Sequence, residues 1–166
     1  MKQELTQEYL KSILNYNPET GIFTWRKRIS HLREVGDVAG YFDRKNGYSR
    51  IIIKGARFNA HNLAYFFVYG VLLKNIDHIN GVKNDNRILN LRESTISENC
   101  MNRITSSNNT SGVKGVSWDK TRQRWVARIC ANGRNFHIGW YKDLNDAKKS
   151  IKIARERLHG EFSNHG

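Results

Sequence analysis

A run of small polar residues and glycine interrupts this 166-residue chain from Thr105 to Gly112. These eight residues have no apolar side chain to bury, which predicts an exposed loop. The residue patterns on its two sides differ, and the chain length suits two small domains. We therefore place a first domain at residues 1–105, a linker at 106–112 and a second domain at 113–166.

The first domain mixes helix and strand patterns. Thr6 can cap a helix in which Leu10 and Ile13 recur at helical spacing. Asn59 can cap a second helix over Ala60–Tyr69, which Gly70 ends. Short strands are expected at 22–25 and 48–54, and a polar helix at 94–103.

The second domain has a different pattern, rich in β-branched and aromatic residues. The predicted strands are Val113–Trp118, Arg124–Ala131 and Asn135–Tyr141, and Asn132-Gly133 is a strong hairpin signal. A helix is expected from Asp143 to His159, because Leu144, Ala147, Ile151, Ala154 and Leu158 form one apolar stripe. A three-stranded antiparallel sheet packed on one helix follows, and the whole chain is predicted to be α+β.

The charge of the chain indicates the class of its partner. The formal net charge is +13, from 28 Lys and Arg against 15 Asp and Glu. Residues 106–166 carry net +7, against +6 for the longer stretch 1–105. Such a balance predicts a polyanionic partner, most commonly nucleic acid, with a ribosomal role or a membrane surface as competing interpretations.

Two further features limit the cellular location of the protein and the kinds of metal site that it can form. No apolar run is long enough to span a bilayer, and the polar segment up to Tyr16 predicts no secretory signal, so we expect a cytoplasmic protein. Cys100 and Cys130 are too few for a four-cysteine zinc site or a disulfide framework. A metal ion would need oxygen and imidazole ligands.

The dipeptide Asp77-His78 is the strongest candidate for chemistry. Hydrolysis of a phosphodiester needs a base that deprotonates water and positive charge beside the phosphate. A neutral histidine, with an ordinary pKa of about 6.5, suits the first role. Adjacent residues on a strand point to opposite faces, so Asp77 can hold a metal ion while His78 faces a water.

A longer pattern around this dipeptide resembles the HNH endonucleases, and among them the homing endonucleases of bacteriophages. The matching segments are Asp77-His78-Ile79-Asn80-Gly81, Asn84-Asp85-Asn86-Arg87, Asn90-Leu91-Arg92, Glu98-Asn99 and, upstream, Tyr16–Gly21 and Ala60-His61. The resemblance implies a ββα-metal fold that holds one divalent cation, Mg²⁺ or Mn²⁺.

The same resemblance implies a role for each matching residue. His78 would be the general base, and Asn90 would brace the loop and orient that histidine. Asp77 and Asn99 would be the metal ligands. Many relatives have His where this chain has Asn99, which makes it an H-N-N variant whose oxygen donor suits Mg²⁺ or Mn²⁺. His61 is left as a structural or DNA-contacting residue.

The second domain resembles the ethylene-response-factor (Apetala-type) DNA-binding domain of plants. The matching residues are Lys114-Gly115-Val116, Trp118, Trp125–Ile129, Ile138-Gly139 and Ala147–Ala154. That family binds the major groove through its sheet. The resemblance implies these DNA-face candidates: Lys114, Ser117, Trp118, Arg122, Arg124, Arg128, Arg134 and His137. It places Trp125, Ile129 and Tyr141 in the core, and we expect the basic helix face (Lys148, Lys149, Lys152, Arg155) to be solvated.

These observations predict a metal-dependent endonuclease of the homing type that hydrolyses DNA phosphodiester bonds at a selected site. We expect a monomer with duplex DNA as its partner, no membrane association and no small-molecule cofactor. One alternative is a non-catalytic, sequence-specific DNA-binding regulator, and another is an RNA-binding translation factor.

Overall fold

The computed structural model describes residues 5–28 and 33–166, so residues 1–4 and 29–32 of the predicted first domain lie outside the described residues. The chain is α+β with several small antiparallel sheets, as the sequence predicts. It divides into two compact units, Met1–Glu93 and Ser94–Gly166. Within the described ranges, no helix is long and apolar enough to cross a membrane.

In its described residues the first unit contains two α-helices and three small antiparallel sheets, β1-β2, β3-β4-β5 and β6-β7. A 3-10 turn, Ile88–Asn90, precedes its last strand. Its helices and strands are α1 (Gln7–Ile13), β1 (Leu14–Asn17), β2 (Ile22–Trp25), β3 (Tyr41–Asp43), β4 (Tyr48–Ile53), β5 (Ala56–Asn59), α2 (Ala60–Tyr69), β6 (Ile76–His78) and β7 (Leu91–Glu93).

Local signals explain the ends of the two helices. The Thr6 hydroxyl accepts a hydrogen bond from the N–H of Tyr9 at the start of α1, as predicted. Gly70 ends α2 in the left-handed region at φ 73°, which glycine adopts without steric cost. Asn59 occupies the N-cap position of α2, as predicted, although its side chain makes no capping hydrogen bond.

The core of the first unit joins both helices to the central strands. Leu10 of α1 and Leu63 of α2 are completely buried, and Ile51 of β4 is 1% exposed. Phe23 and Trp25 of β2 belong to the same apolar cluster. Burial of several large side chains supplies the main stabilising term for a unit of this size.

The second unit contains a sheet of strand order β10-β9-β8, antiparallel throughout. Its elements are α3 (Ile96–Met101), β8 (Val116–Asp119), β9 (Arg124–Ala131), β10 (Arg134–Tyr141), α4 (Leu144–His159) and a 3-10 turn (Gly160–Phe162). Asp143 caps α4, its carboxylate accepting from the N–H groups of Asn145 and Asp146. The Asn132-Gly133 turn takes positive φ angles of 51° and 73°, as a tight hairpin of this sequence requires.

The sheet of the second unit packs on α4 as predicted. Ala147 and Ile151 of α4 share a buried cluster with Val116, Ala127 and Ile129 of the strands. Trp125 and Tyr141 pack against this cluster, in agreement with their predicted place in the core.

The prediction for Arg155 on α4 is wrong. Its side chain is not part of a solvated face, because the residue is only 3% exposed. Its guanidinium donates to the carbonyl of Lys114, and its Nη1 lies 3.1 Å from Nδ1 of His165. Arg155 follows Ile151 by four positions, so it lies beside the apolar stripe that faces the sheet.

Candidate active site and nucleic-acid interface

The β6-β7 hairpin positions the two residues with the strongest chemical signal. Antiparallel pairing sets Asp77 opposite Arg92 and His78 opposite Leu91. Asp77 is 3% exposed and His78 is 5% exposed. Neighbouring side chains on this short strand leave it on opposite sides, as the sequence predicts.

Asp77 forms a buried ion pair with Arg92. Its Oδ2 accepts hydrogen bonds from Nε of Arg92 at 2.9 Å and from Nη2 at 2.8 Å. A buried charge pair of this kind fixes the carboxylate in place, since removal of either partner would leave an uncompensated charge.

Asn90 braces the loop between the two strands. Its Oδ1 accepts from the backbone N–H of Asn80 at 3.0 Å, and its Nδ2 donates to the carbonyl of Asp85 at 2.8 Å. Its own carbonyl accepts from the N–H of Ile79. The carboxamide thus ties the start of the loop to its middle, as expected of a residue that braces the loop, while its catalytic role stays a prediction.

Asp85 provides a second anchor within this loop. Its Oδ1 accepts from Nε of Arg87 at 2.8 Å, and its Oδ2 accepts from Nδ2 of Asn80 at 2.7 Å. These hydrogen bonds, that from Arg87 first, lower the pKa of Asp85 to about 2. The carboxylate is therefore charged at neutral pH and holds the loop in one conformation.

The upstream segment Tyr16–Gly21 supports the same loop from outside. The hydroxyl of Tyr16 donates to the carbonyl of Asn86 at 2.7 Å. Gly21 has φ 72°, and a Cβ at this position would lie 2.5 Å from the backbone nitrogen of Arg87. Only glycine lets the two backbones approach so closely, which gives a physical reason for this motif.

Polar and aromatic side chains surround His78. Its ring centroid lies 4.9 Å from that of His61 and 6.1 Å from that of Tyr48. Burial lowers the pKa of His78 from its ordinary value, and the Asn86 side chain, followed by Asp77 and Asp85, opposes this. The ring is thus favoured in the neutral form that a general base requires, although the sequence does not predict so little exposure to solvent.

The two metal ligands that the sequence predicts, Asp77 and Asn99, would offer oxygen atoms. Asn99 lies on α3 in the second unit and is half-buried, and its pairing with Asp77 stays a prediction. In the part of the chain that the structure describes, no three His, Cys, Asp or Glu side chains could hold a metal ion together. One buried carboxylate and one carboxamide suit Mg²⁺ or Mn²⁺, which complete their coordination with water and phosphate, and do not suit Zn²⁺.

The sheet of the second unit presents an open face on the side away from α4. Pairing sets Ser117 opposite Val126 and His137 opposite Arg128, and strict alternation adds Arg124 to the same face. Ser117, Arg124, Arg128 and His137 are all exposed. The structure thus brings these four predicted DNA-face residues together.

The other four candidates do not follow this alternation: two lie on the opposite face, and Arg122 and Lys114 lie outside the strands. Trp118 pairs with Trp125 on the opposite face, with ring centroids 5.0 Å apart, and Arg134 pairs with Ala131 at the end of that same face. Arg122 lies in the turn after β8 and bonds to Asp119.

Lys114 is engaged within its own unit. Its ammonium group donates to the carbonyls of Met101 and Asn164, at 3.0 and 2.9 Å, and to that of Arg103. Burial lowers its pKa to about 8, with the positive charge of Arg155 as a second cause. Lys114 is therefore occupied by backbone carbonyls in this structure, and its contact with DNA stays a prediction.

Trp140 is a candidate on the open face that the sequence analysis misses. A bulge between His137 and Gly139 brings the rings of His137 and Trp140 together, with centroids 3.9 Å apart. The guanidinium of Arg122 lies 5.0 Å over the Trp140 ring. Regular alternation along a strand would put His137 and Trp140, three positions apart, on opposite faces. In the sequence only Gly139 indicates the bulge that brings them to the same face.

Comparison with known proteins finds two family models along the chain, and the first match extends past the Glu93/Ser94 boundary between the two units. Residues 58–101 match the model of the HNH endonuclease family, and residues 111–161 match that of the AP2 domain. The chain is 39% identical over 88 residues to Protein 3.8 of Escherichia phage T7, which covers 53% of this chain and 72% of that protein. No solved structure matches the chain.

Proposed function

Because the chain belongs to the family of phage T7 Protein 3.8 and carries an HNH endonuclease domain and an AP2 domain, we propose that it is a metal-dependent DNA endonuclease of the homing type. It hydrolyses a phosphodiester bond at a selected site and leaves 5′-phosphate and 3′-hydroxyl ends. One observation carries the proposal: a buried carboxylate and a buried imidazole occupy consecutive positions on a hairpin whose loop is held by Asn90.

In this proposal His78 removes a proton from the attacking water. Its burial keeps the ring neutral, so it can accept that proton at neutral pH. Asp77 and Asp85, both beside the ring, stabilise the imidazolium that forms. Asn90 is the positioning residue, because its carboxamide holds the start and the middle of the loop that begins directly after His78.

Asp77 and Asn99 would hold one Mg²⁺ or Mn²⁺ ion, which when bound supplies positive charge for the scissile phosphate and the leaving oxygen. Arg92 keeps the Asp77 carboxylate oriented through the hydrogen bonds to Oδ2. The ββα arrangement of β6, β7 and α3 is part of this proposal.

His78 is nearly closed to solvent, so the proposal includes a local opening beside it. Lys83 ties the neighbouring loop to Tyr48, its Nζ 4.9 Å from the ring centroid, and donates to the carbonyl of Asn46 at 3.2 Å. These surface contacts are weak and are exchanged readily for a phosphate. DNA that draws Lys83 away would admit water to His78.

The open face of the second unit binds duplex DNA in this proposal. Arg124, Arg128 and His137 supply donors for phosphates and base edges, and Trp140 supplies an apolar surface. In sequence, residues 1–105 form the nuclease domain, 106–112 the linker and 113–166 the DNA-binding domain, which Met101 and Arg103 support by accepting hydrogen bonds from Lys114. The protein acts as a monomer in the cytoplasm of the infected cell, and tethering raises the local concentration of DNA at the hairpin.

The test is conversion of supercoiled plasmid with Mg²⁺ or Mn²⁺, followed by mapping of the ends. We expect wild type to nick or cut the plasmid, chelation of the metal to stop it, and His78→Ala to lose cleavage while retaining DNA binding. His165→Ala, which replaces an exposed histidine in the second unit, is the matched control and should cleave normally. A wild-type protein that leaves the plasmid intact with both metals would refute the nuclease proposal.

A second candidate is a DNA-binding regulator that does not cleave. The 5% exposure of His78 favours it, because a base must reach water. The same assay separates the two functions. A regulator would bind duplex DNA through Arg124 and Arg128 and would show no His78-dependent cleavage under any metal.

A further inference from the structure

His61 is a buried titratable side chain to which the proposed chemistry gives no role. It lies in the first turn of α2 and is 6% exposed. Among the described residues its Nδ1 has no hydrogen-bond partner. The structure relates His61 to the candidate site through the contacts of its ring.

The surroundings of His61 lead directly to the candidate base. The rings of His61 and His78 meet edge to face, with centroids 4.9 Å apart and planes at 79°. The ring centroid of Tyr48 lies 5.2 Å from that of His61 and 6.1 Å from that of His78. These rings come from β4, α2 and β6, so three separate elements converge at this point.

This packing restricts the orientation of the His78 ring. Edge-to-face packing is one of the arrangements that ring pairs prefer at such separations, and the two rings beside His78 belong to α2 and β4. The neutral state of His61 agrees with this role. Burial, and secondarily the nearby His78, lower the pKa of His61 to about 3, so it places no charge against His78 at neutral pH.

We propose that His61 is a positioning residue that fixes the ring of His78 through an edge-to-face contact, so that the base nitrogen points at the attacking water. The inference rests on the proposed function of His78. It requires a flat ring at position 61 rather than a proton donor. Phenylalanine should therefore replace His61 in part, whereas alanine should not.

The experiment compares His61→Ala and His61→Phe in the full chain. The rate of plasmid nicking is measured in a single turnover at saturating protein, together with DNA affinity and the temperature of unfolding. We expect His61→Ala to lower the rate by about 10- to 100-fold, as misplaced catalytic groups do, with DNA affinity unchanged. His61→Phe should restore most of the rate.

Leu63→Ala is the matched structural control. Leu63 lies on the same helix, is completely buried and belongs to the apolar core. This variant should lower the temperature of unfolding and, assayed below that temperature, should cleave at the wild-type rate. A Leu63→Ala rate as low as that of His61→Ala would show that any weakening of the unit slows cleavage, and would overturn the positioning role.

Nuclear magnetic resonance of wild type and His61→Phe tests the ring contact directly. This test needs neither cleavage activity nor a folded His61→Ala variant. In wild type, ring protons of His61 and His78 should show a mutual nuclear Overhauser effect, and His61→Phe should shift the His78 ring protons. Absence of that effect, or wild-type cleavage by a folded His61→Ala, would overturn the inference and leave the proposed function intact. An inactive wild type would overturn both.

Discussion

The burial of His61 makes the stability of the first unit depend on pH. Its pKa falls from an ordinary 6.5 to about 3 in the folded chain. Between these values the unfolded chain binds a proton that the folded chain does not. Stability is therefore complete above pH 6.5 and is lost progressively as the pH falls toward 3, because unfolding takes up a proton in that range.

The two pKa values give the size of the effect. Each pH unit below 6.5 removes about 1.4 kcal/mol from the free energy of unfolding, so a change from pH 7 to pH 5 removes about 2 kcal/mol. His61→Phe has no proton to bind at this position and should lack that part of the pH dependence. His78, whose pKa is also lowered, stays in both proteins and adds a pH dependence of the same sign.

The assay is native-state amide hydrogen exchange of the most protected amides in α2 and β4, measured at pH 5, 6 and 7. It reports on the first unit alone, whereas tryptophan fluorescence would mix both units. His137→Leu, an exposed histidine in the second unit, is the control and should reproduce the wild-type curve. Identical pH dependence in wild type and His61→Phe would refute the argument that His61 is buried in neutral form.

Three further predictions concern charged side chains. Arg155→Ala should lower the free energy of unfolding of the second unit, measured by urea titration, by about 2–3 kcal/mol, because packing and a hydrogen-bond donor are lost. The control Lys148→Ala, on the same helix, should change it by less than about 0.5 kcal/mol. Arg92→Met should cost the first unit about 3 kcal/mol by leaving Asp77 buried without its partner, and hydrogen exchange should show recovery when Asp77→Leu is added. Arg128→Ala should reduce the slope of log affinity for DNA against log salt by about 1, and an unchanged slope would remove it from the interface.

The sequence predicts local structure well where a local rule governs it. Thr6 caps α1, Asn132-Gly133 forms the hairpin turn, and the stripe from Leu144 to Leu158 faces the sheet. Each of these features depends on residues within a few positions of one another. Alternation along β9 also assigns Arg124 and Arg128 to the open face, because the period of a strand leaves little choice.

The sequence predicts less where distant segments meet. The burial of His78 depends on Tyr48 and His61, which reach it from other elements. The bulge in β10 that places Trp140 beside His137 follows from pairing along the whole strand. Arg155 is charged, which is typical of a surface residue. It is nevertheless buried, because it lies one helical turn after the buried Ile151.

The bonds of Lys114 matter for anyone who separates the DNA-binding part from the rest of the chain. Its ammonium group is held by carbonyls that lie before the polar run and by one close to the C-terminus. A fragment that starts at residue 113, where the strand pattern begins, would lose the earlier acceptors and expose the apolar side chain of Ala131, which packs with Met101. A fragment from Ser94 to Gly166 retains all of these hydrogen bonds. It is the smallest fragment that we expect to fold and to bind DNA as the full chain does.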